Sequence, residues 1–99
     1  MSLNNLGLAY RANKIVLGTD LVINQMSKLT LVLIANNANK NTVRKVLNKT
    51  KTYNVLVNDS YSINELSNAI GKHNIQVIGI TDSGFKNLLK KKGSWYYGK

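Results

Sequence analysis

Three short polar segments of this chain carry the side chains that could recognise a ligand. They lie between predicted strands and helices, at residues 17–20, 36–39 and 71–74. Their asparagine amides both donate and accept hydrogen bonds, so they can bind base edges and ribose hydroxyls. Backbone amides at the start of the second helix offer a phosphate site. This chemistry suits RNA, but asparagine-rich turns closed by their own side chains fit the same residues.

Positions that could approach a phosphate or a base are the predicted RNA contacts. From residue type and location they are Lys14, Gly18, Asn36, Asn37, Lys40, Gly71, Lys72, His73 and Asn74. Glycine allows close backbone approach, lysine neutralises phosphate, and histidine can stack on a base. For Lys14 and His73 a solvated surface position remains the alternative.

Side chains for catalysis are sparse. The acids are Asp20, Asp59, Glu65 and Asp82, and most stand at predicted helix starts, where they complement the helix dipole. His73 is the only histidine and the chain has no cysteine, so metal sites and nucleophilic triads lack their partners. Phosphate-binding glycine motifs are absent as well. We therefore expect a protein that is not an enzyme and that uses no cofactor or metal.

Positive charge dominates the composition. Lys and Arg total 14 against 4 acids, which gives a net charge of +10. Such an excess favours a polyanionic partner, either nucleic acid or an anionic membrane, and the polar segments favour nucleic acid. Residues 1–6 lack a signal-peptide pattern, and the longest apolar run, 31–35, cannot span a bilayer. We expect a soluble, cytoplasmic monomer without a membrane partner.

Helical and strand patterns alternate along the chain. Short or continuous apolar runs predict four strands, at 15–17, 30–35, 55–57 and 75–81. Apolar residues at helical spacing predict five helices, and the polar residues before four of them are suitable caps. Those caps are Thr19 or Asp20, Asn39 or Asn41, Ser62, and Asp82 or Ser83. The order predicts an α/β fold, a three-layer α/β/α sandwich.

One domain accounts for residues 1–92, and a basic and aromatic tail follows at 93–99. Around this junction the chain reads Lys90-Lys91-Lys92-Gly93-Ser94-Trp95-Tyr96-Tyr97. Basic and aromatic residues in alternation suit stacking on single-stranded RNA, and equally an interfacial membrane contact. The aromatic side chains folding back onto the domain is the third alternative.

Four segments in register resemble one protein family. They are residues 11–22, 31–37, 66–72 and 81–85, within a match that covers roughly residues 3–90. The chain is similar to the bacterial YlxQ-type branch of the ribosomal-protein family that includes archaeal L-seven-Ae and eukaryotic L-thirty-e. The resemblance implies that family's three-layer fold with a four-stranded mixed sheet. It also implies binding of structured RNA, typically kink-turns.

The resemblance also implies site residues at the start of the second helix. There the family has a Gly-x-Asn-Glu element that reads the sheared G·A pairs of the bend. Gly18 and Thr19 match its first two positions, whereas Asp20 replaces Asn and Leu21 replaces Glu. Asn24 stands where a basic residue often follows. Asp20 keeps an acceptor but loses a donor, so we expect structured-RNA binding in general rather than kink-turn binding specifically.

Two kinds of function follow from these patterns. The first is a non-catalytic RNA-binding protein associated with the ribosome, with translation or with a riboswitch-like RNA. The second is a factor that docks on a protein of the translation machinery and has only non-specific RNA affinity. A preference for one RNA shape separates them, because charge alone gives no such preference.

Overall fold

Helices and strands alternate along the part of the chain that the structure describes. The computed structural model covers residues 4–81 and 95–97, and it defines side chains from residue 6 to residue 81. The helices are α1 (Asn4–Arg11), α2 (Thr19–Asn24), α3 (Lys40–Tyr53) and α4 (Ile63–Ile70). The strands are β1 (Ile15–Leu17), β2 (Leu31–Ile34), β3 (Leu56–Asn58), β4 (Val77–Ile80) and β5 (Trp95–Tyr97). The predicted fifth helix lies outside the described residues.

The strands form one mixed sheet in the order β1-β4-β2-β3-β5. β4 is antiparallel to both β1 and β2, and β3 is parallel to β2. Consequently β1, β2 and β3 run in one direction and β4 runs in the opposite one. These four strands are the predicted mixed sheet, and the predicted α/β fold is confirmed.

β5 adds a strand that the sequence patterns did not predict. It pairs antiparallel with β3, with Val57 opposite Tyr96. This pairing corresponds to the third alternative for the end of the chain, in which it folds back onto the domain. It also provides β3 with a hydrogen-bonded neighbour on both sides.

Apolar side chains bury both faces of the sheet. Alternate residues of β2 point to opposite faces, since Leu31 and Leu33 pack with α1 and α4, while Val32 and Ile34 pack with α2 and α3. All four are at most 2% exposed, as expected of a central strand with helices on both sides. The result is the predicted three-layer sandwich.

The ends of two helices follow the predicted capping chemistry. The Ser62 hydroxyl accepts a hydrogen bond from the Glu65 amide, and the Glu65 carboxylate accepts one from the Ser62 amide. This reciprocal pair is a capping box, and it satisfies two amides that the helix itself leaves unpaired. At α3 the cap is Asn39, whose side chain accepts from the Asn41 amide at 2.8 Å.

Several boundaries differ from the predictions by one or two residues. The second helix ends at Asn24, and a single 3-10 turn, Met26–Lys28, completes the predicted helical segment. β4 begins at Val77 rather than at residue 75, because Asn74 has a φ of 55° and turns the backbone out of extended geometry. Apolar patterns locate an element but do not register such turns.

Candidate functional site

The carboxyl ends of β1, β2 and β3 and the start of β4 lie at one end of the sheet, which we call the loop end. The Gly18 amide donates to the Val77 carbonyl at 3.2 Å, and the Ala35 amide donates to the Gln76 carbonyl at 2.8 Å. The residues that follow β1 and β2 are therefore both bonded to the chain entering β4. Segments 17–20 and 36–39 start here, and segment 71–74 leads into it.

Gly18 turns the chain from β1 into α2. Its φ of 95° and ψ of 151° form a conformation that side chains with a Cβ rarely adopt. A Cβ built on Gly18 meets no atom within 4 Å. The backbone conformation, rather than crowding, therefore selects glycine, and the space in front of it is open to a ligand.

The outer face of α2 presents the residues at which the chain departs from the family element. Asp20 and Asn24 are exposed and stand four positions apart, so they share one face of the helix. Leu21 is 52% exposed, whereas Val22 is fully buried and anchors the helix to the sheet. Leu21 was not among the predicted contacts, and a leucine can touch a base only through apolar contact. Thr19 is half-buried at the start of the helix.

Asn36 and Asn37 fasten the turn after β2 to the neighbouring turn after β3. The Asn37 side-chain oxygen accepts from the Ile63 amide at 2.9 Å, at the first residue of α4. The Asn36 side-chain amide donates to the Ser60 carbonyl at 3.4 Å. Both asparagines are also exposed. They therefore hold the turn and still present polar surface to solvent, which combines the two alternatives raised by the sequence.

A contact that the sequence did not predict fastens this turn to β4. The Gln76 side chain accepts a hydrogen bond from the Asn39 amide at 2.9 Å. Asn39 also caps α3, so the next residue, Lys40, starts the helix at the loop end with an exposed side chain. Gln76 thus acts as a positioning residue. The sequence gives no signal for it beyond a polar residue just before a strand.

Segment 71–74 is shaped by left-handed residues and by one buried hydroxyl. Gly71 ends α4 with a φ of 71°, and Asn74 has a φ of 55°. The Ser67 hydroxyl accepts from the Ile75 amide at 2.9 Å, and Ser67 is 4% exposed. Ser67, at which the family usually has glycine, therefore holds the segment that carries the predicted contacts.

The predicted contacts of this segment are exposed, and one of them has an aromatic neighbour. The Lys72 ammonium lies 5.8 Å from the centroid of the Tyr10 ring, within the range of a cation–π interaction. His73 and Asn74 are exposed beside it. The ring limits where the Lys72 ammonium can go, so its charge is displayed between α1 and the start of β4.

Lys14 lies away from the other predicted contacts. It precedes β1, and its carbonyl accepts hydrogen bonds from the amide and the hydroxyl of Thr81, just after β4. Both residues are at the end of the sheet opposite the loop end. The structure therefore does not bring Lys14 together with Gly18.

Tyr61 supports the loop end from the protein interior. It is 3% exposed, and its carbonyl accepts from the Asn36 amide at 2.8 Å. Burial raises the pKa of the phenol above its usual 10.0, and the negative charge of Glu65 raises it further. The phenol therefore stays neutral throughout the physiological range.

Searches for other site types gave two results within the described residues. No group of three or more histidine or acidic side chains there is placed to hold a metal ion. None of the helices there has the length and apolar character needed to cross a membrane.

Comparison with known proteins identifies the family. The chain is 42% identical over 86 residues to the RNA-binding protein YlxQ of Bacillus subtilis (strain 168), covering 85% of this chain and 86% of that protein. It is 37% identical over 92 residues to the RNA-binding protein YlxQ of Enterococcus faecium, covering 91% and 88%. The chain belongs to the YlxQ family. The resemblance inferred from the sequence is thereby confirmed, although no protein-family model matches the chain.

Solved structures extend this YlxQ-family assignment to the fold. A protein of unknown function from Bacillus halodurans C matches with a TM-score of 0.82 at 37% identity, over 88% of this chain and 90% of that chain. The Giardia lamblia 15.5kD RNA binding protein matches with a TM-score of 0.70 at 22% identity, over 87% and 76%. The second match shows a shared fold and no more.

Proposed function

We propose that this protein is a non-catalytic RNA-binding protein that recognises structured RNA at the loop end. The observation that carries the proposal is the group of exposed amide and cationic side chains held there by hydrogen bonds. Asn37 and Gln76 fix the turn after β2, and Ser67 fixes the segment that displays Lys72. Side chains on a rigid support lose less entropy on binding, which favours recognition of a defined shape.

The family relationship supports RNA as the ligand, because the relatives from Bacillus subtilis and Enterococcus faecium are named RNA-binding proteins. The net charge of +10 supports a polyanion as well. We further propose that the protein acts as a monomer in the cytoplasm, on ribosomal or other translation-associated RNA. Kink-turns are the first RNA shape to test, since Gly18 and Thr19 match the family element.

A gel-shift titration tests this function directly. A kink-turn RNA and a straight duplex of the same length are compared at about 0.15 M salt, a physiological level. We expect tighter binding of the bent RNA. Equal binding of both RNAs would contradict recognition at the loop end and would favour the protein-docking alternative, which a tight protein partner would then support.

The site assignment is tested by one matched pair of lysine substitutions. Lys72→Gln removes a charge at the loop end, and Lys28→Gln removes one from the 3-10 turn before β2, at the opposite end of the sheet. A lost charged contact of about 1.4 kcal/mol corresponds to a tenfold loss of affinity. We expect that loss for Lys72→Gln and a clearly smaller one for Lys28→Gln. Equal effects of the two substitutions would remove Lys72 from the interface.

A further inference from the structure

α3 is strongly basic along its whole length. Its 14 residues contain no acid, and they include five cations. All five side chains are exposed, and they are Lys40, Arg44, Lys45, Lys49 and Lys51. At about 1.5 Å per residue the helix is about 21 Å long. The positive surface of α3 is therefore much longer than the loop end itself.

The cations occupy the side of α3 that faces away from the sheet. Val46 and Thr50 are fully buried and face the sheet. At about 100° per residue, Lys40, Arg44 and Lys51 fall within about 40° of each other and form one row along the helix. Lys45 and Lys49, four residues apart, form a second row on the same outer half.

The first row begins at the loop end. Asn39, which caps α3, is hydrogen-bonded to Gln76 before β4, so Lys40 starts the row beside the predicted RNA contacts. Lys51 lies 11 residues further on, which is about 16 Å along the axis. The positive surface is therefore continuous from the loop end to the far end of the helix.

The spacing of these charges is not what helix stability favours. Lys40 with Arg44, and Lys45 with Lys49, are like charges four residues apart, an arrangement that destabilises a helix. Surfaces that serve only solubility usually mix both signs. A row of phosphates would relieve the repulsion by neutralising each cation and releasing its counterions.

We propose that the outer face of α3 is a second contact surface for RNA phosphates, continuous with the loop end. This inference rests on the proposed function, since it extends the footprint of the same RNA. The loop end selects the shape of the RNA, and α3 binds the backbone of the stem that leaves it. The contacts along α3 are independent of base sequence, as phosphate contacts are.

Salt dependence of binding tests the inference, because its slope counts the phosphate contacts. The triple variant Lys45→Gln/Lys49→Gln/Lys51→Gln keeps the helix propensity close to that of lysine. With about 0.9 of slope lost per contact, the affinity ratio of wild type to variant is expected to shrink about 40-fold between 0.05 M and 0.2 M salt. Thermal melting confirms that the variant is folded.

A matched pair of arginine substitutions separates contact from net charge. Arg44→Gln lies on α3, and Arg11→Gln lies at the end of α1, on the other face of the sheet; both arginines are exposed. We expect Arg44→Gln to reduce the salt slope by about 0.9 and Arg11→Gln to leave it unchanged. Equal changes in slope would mean that only net charge matters and would overturn the inference.

The outcome also distinguishes this inference from the proposed function. If the triple variant keeps its preference for bent RNA and loses salt slope, α3 is a contact surface. If it keeps both the preference and the full slope, the loop end binds RNA without α3 and the inference is wrong. If wild-type protein shows no preference between the two RNAs, the proposed function itself fails.

Discussion

Asp20→Asn is the substitution that tests RNA recognition at α2 most directly. Asp20 is exposed in the first turn of α2, where the family element has asparagine. The substitution removes a negative charge that faces incoming phosphates, and it adds an amide donor. We expect tighter binding of a kink-turn RNA.

The size of the gain follows from the exposure of Asp20. A carboxylate about 6 Å from a phosphate in water is repelled by about 0.7 kcal/mol, and physiological salt reduces this by about half. A new hydrogen bond from the amide adds about 0.5–1.5 kcal/mol. Together they give about 1–2 kcal/mol, which corresponds to an affinity gain of about 5- to 30-fold.

The same substitution should make the free protein slightly less stable. An acid in the first turn of a helix stabilises it by about 0.3–1 kcal/mol through the helix dipole. For a domain of this size, the melting temperature is expected to fall by about 1–8 °C. Opposite changes in binding and stability would show that Asp20 contributes to α2 and opposes the RNA.

Glu65→Gln is the matched control for Asp20→Asn. It also removes one exposed negative charge, and glutamine can still accept the hydrogen bond from the Ser62 amide in the capping box. Gel-shift titrations of both variants are carried out with bent and straight RNA. A gain for Asp20→Asn that is equal on the two RNAs, or equal to that of Glu65→Gln, would refute direct readout at this position.

Three further predictions concern the supports of the loop end and of the sheet. Gly18→Ala forces a Cβ into a backbone with a φ of 95°, so unfolding experiments should show a loss of about 1–3 kcal/mol; an unchanged melting temperature would contradict the strain. Ser67→Ala removes the acceptor of the Ile75 amide, at a cost of about 1–3 kcal/mol, and hydrogen exchange at Ile75 should quicken while that of β2 does not. Deletion of residues 94–99 removes the strand that pairs with β3, so the amides of Leu56–Asn58 should exchange faster; unchanged protection there would argue against the pairing.

Much of the fold follows from local patterns in the sequence. The continuous apolar run of β2 predicts a strand covered on both faces, and the capping-box spacing of Ser62 and Glu65 predicts the start of α4. Both signals lie within a few residues, where side-chain type and backbone geometry determine each other directly. The family resemblance then supplied the mixed sheet, which periodicity alone does not give.

The contacts that build the loop end could not be predicted in this way. The bond between Asn39 and Gln76 joins residues 37 positions apart, and that between Asn37 and Ile63 joins residues 26 positions apart. Such pairs form because the sheet brings the ends of β2, β3 and β4 together, so they depend on topology rather than on neighbouring residues. The same limit applies to Lys14, whose sequence position near Gly18 hides its location at the other end of β1.

The departures from the family pattern differ in what they can change. Ser67 points inward, and its hydroxyl holds the segment before β4, so it preserves a defined position for that segment. Asp20 and Leu21 point outward from α2, and neither is needed to anchor that helix, because Val22 does so. The support of the interface is thus retained while the chemistry of its α2 surface is altered. A difference in RNA target between this protein and its distant structural relatives should therefore arise at α2, with the turns beside it unchanged.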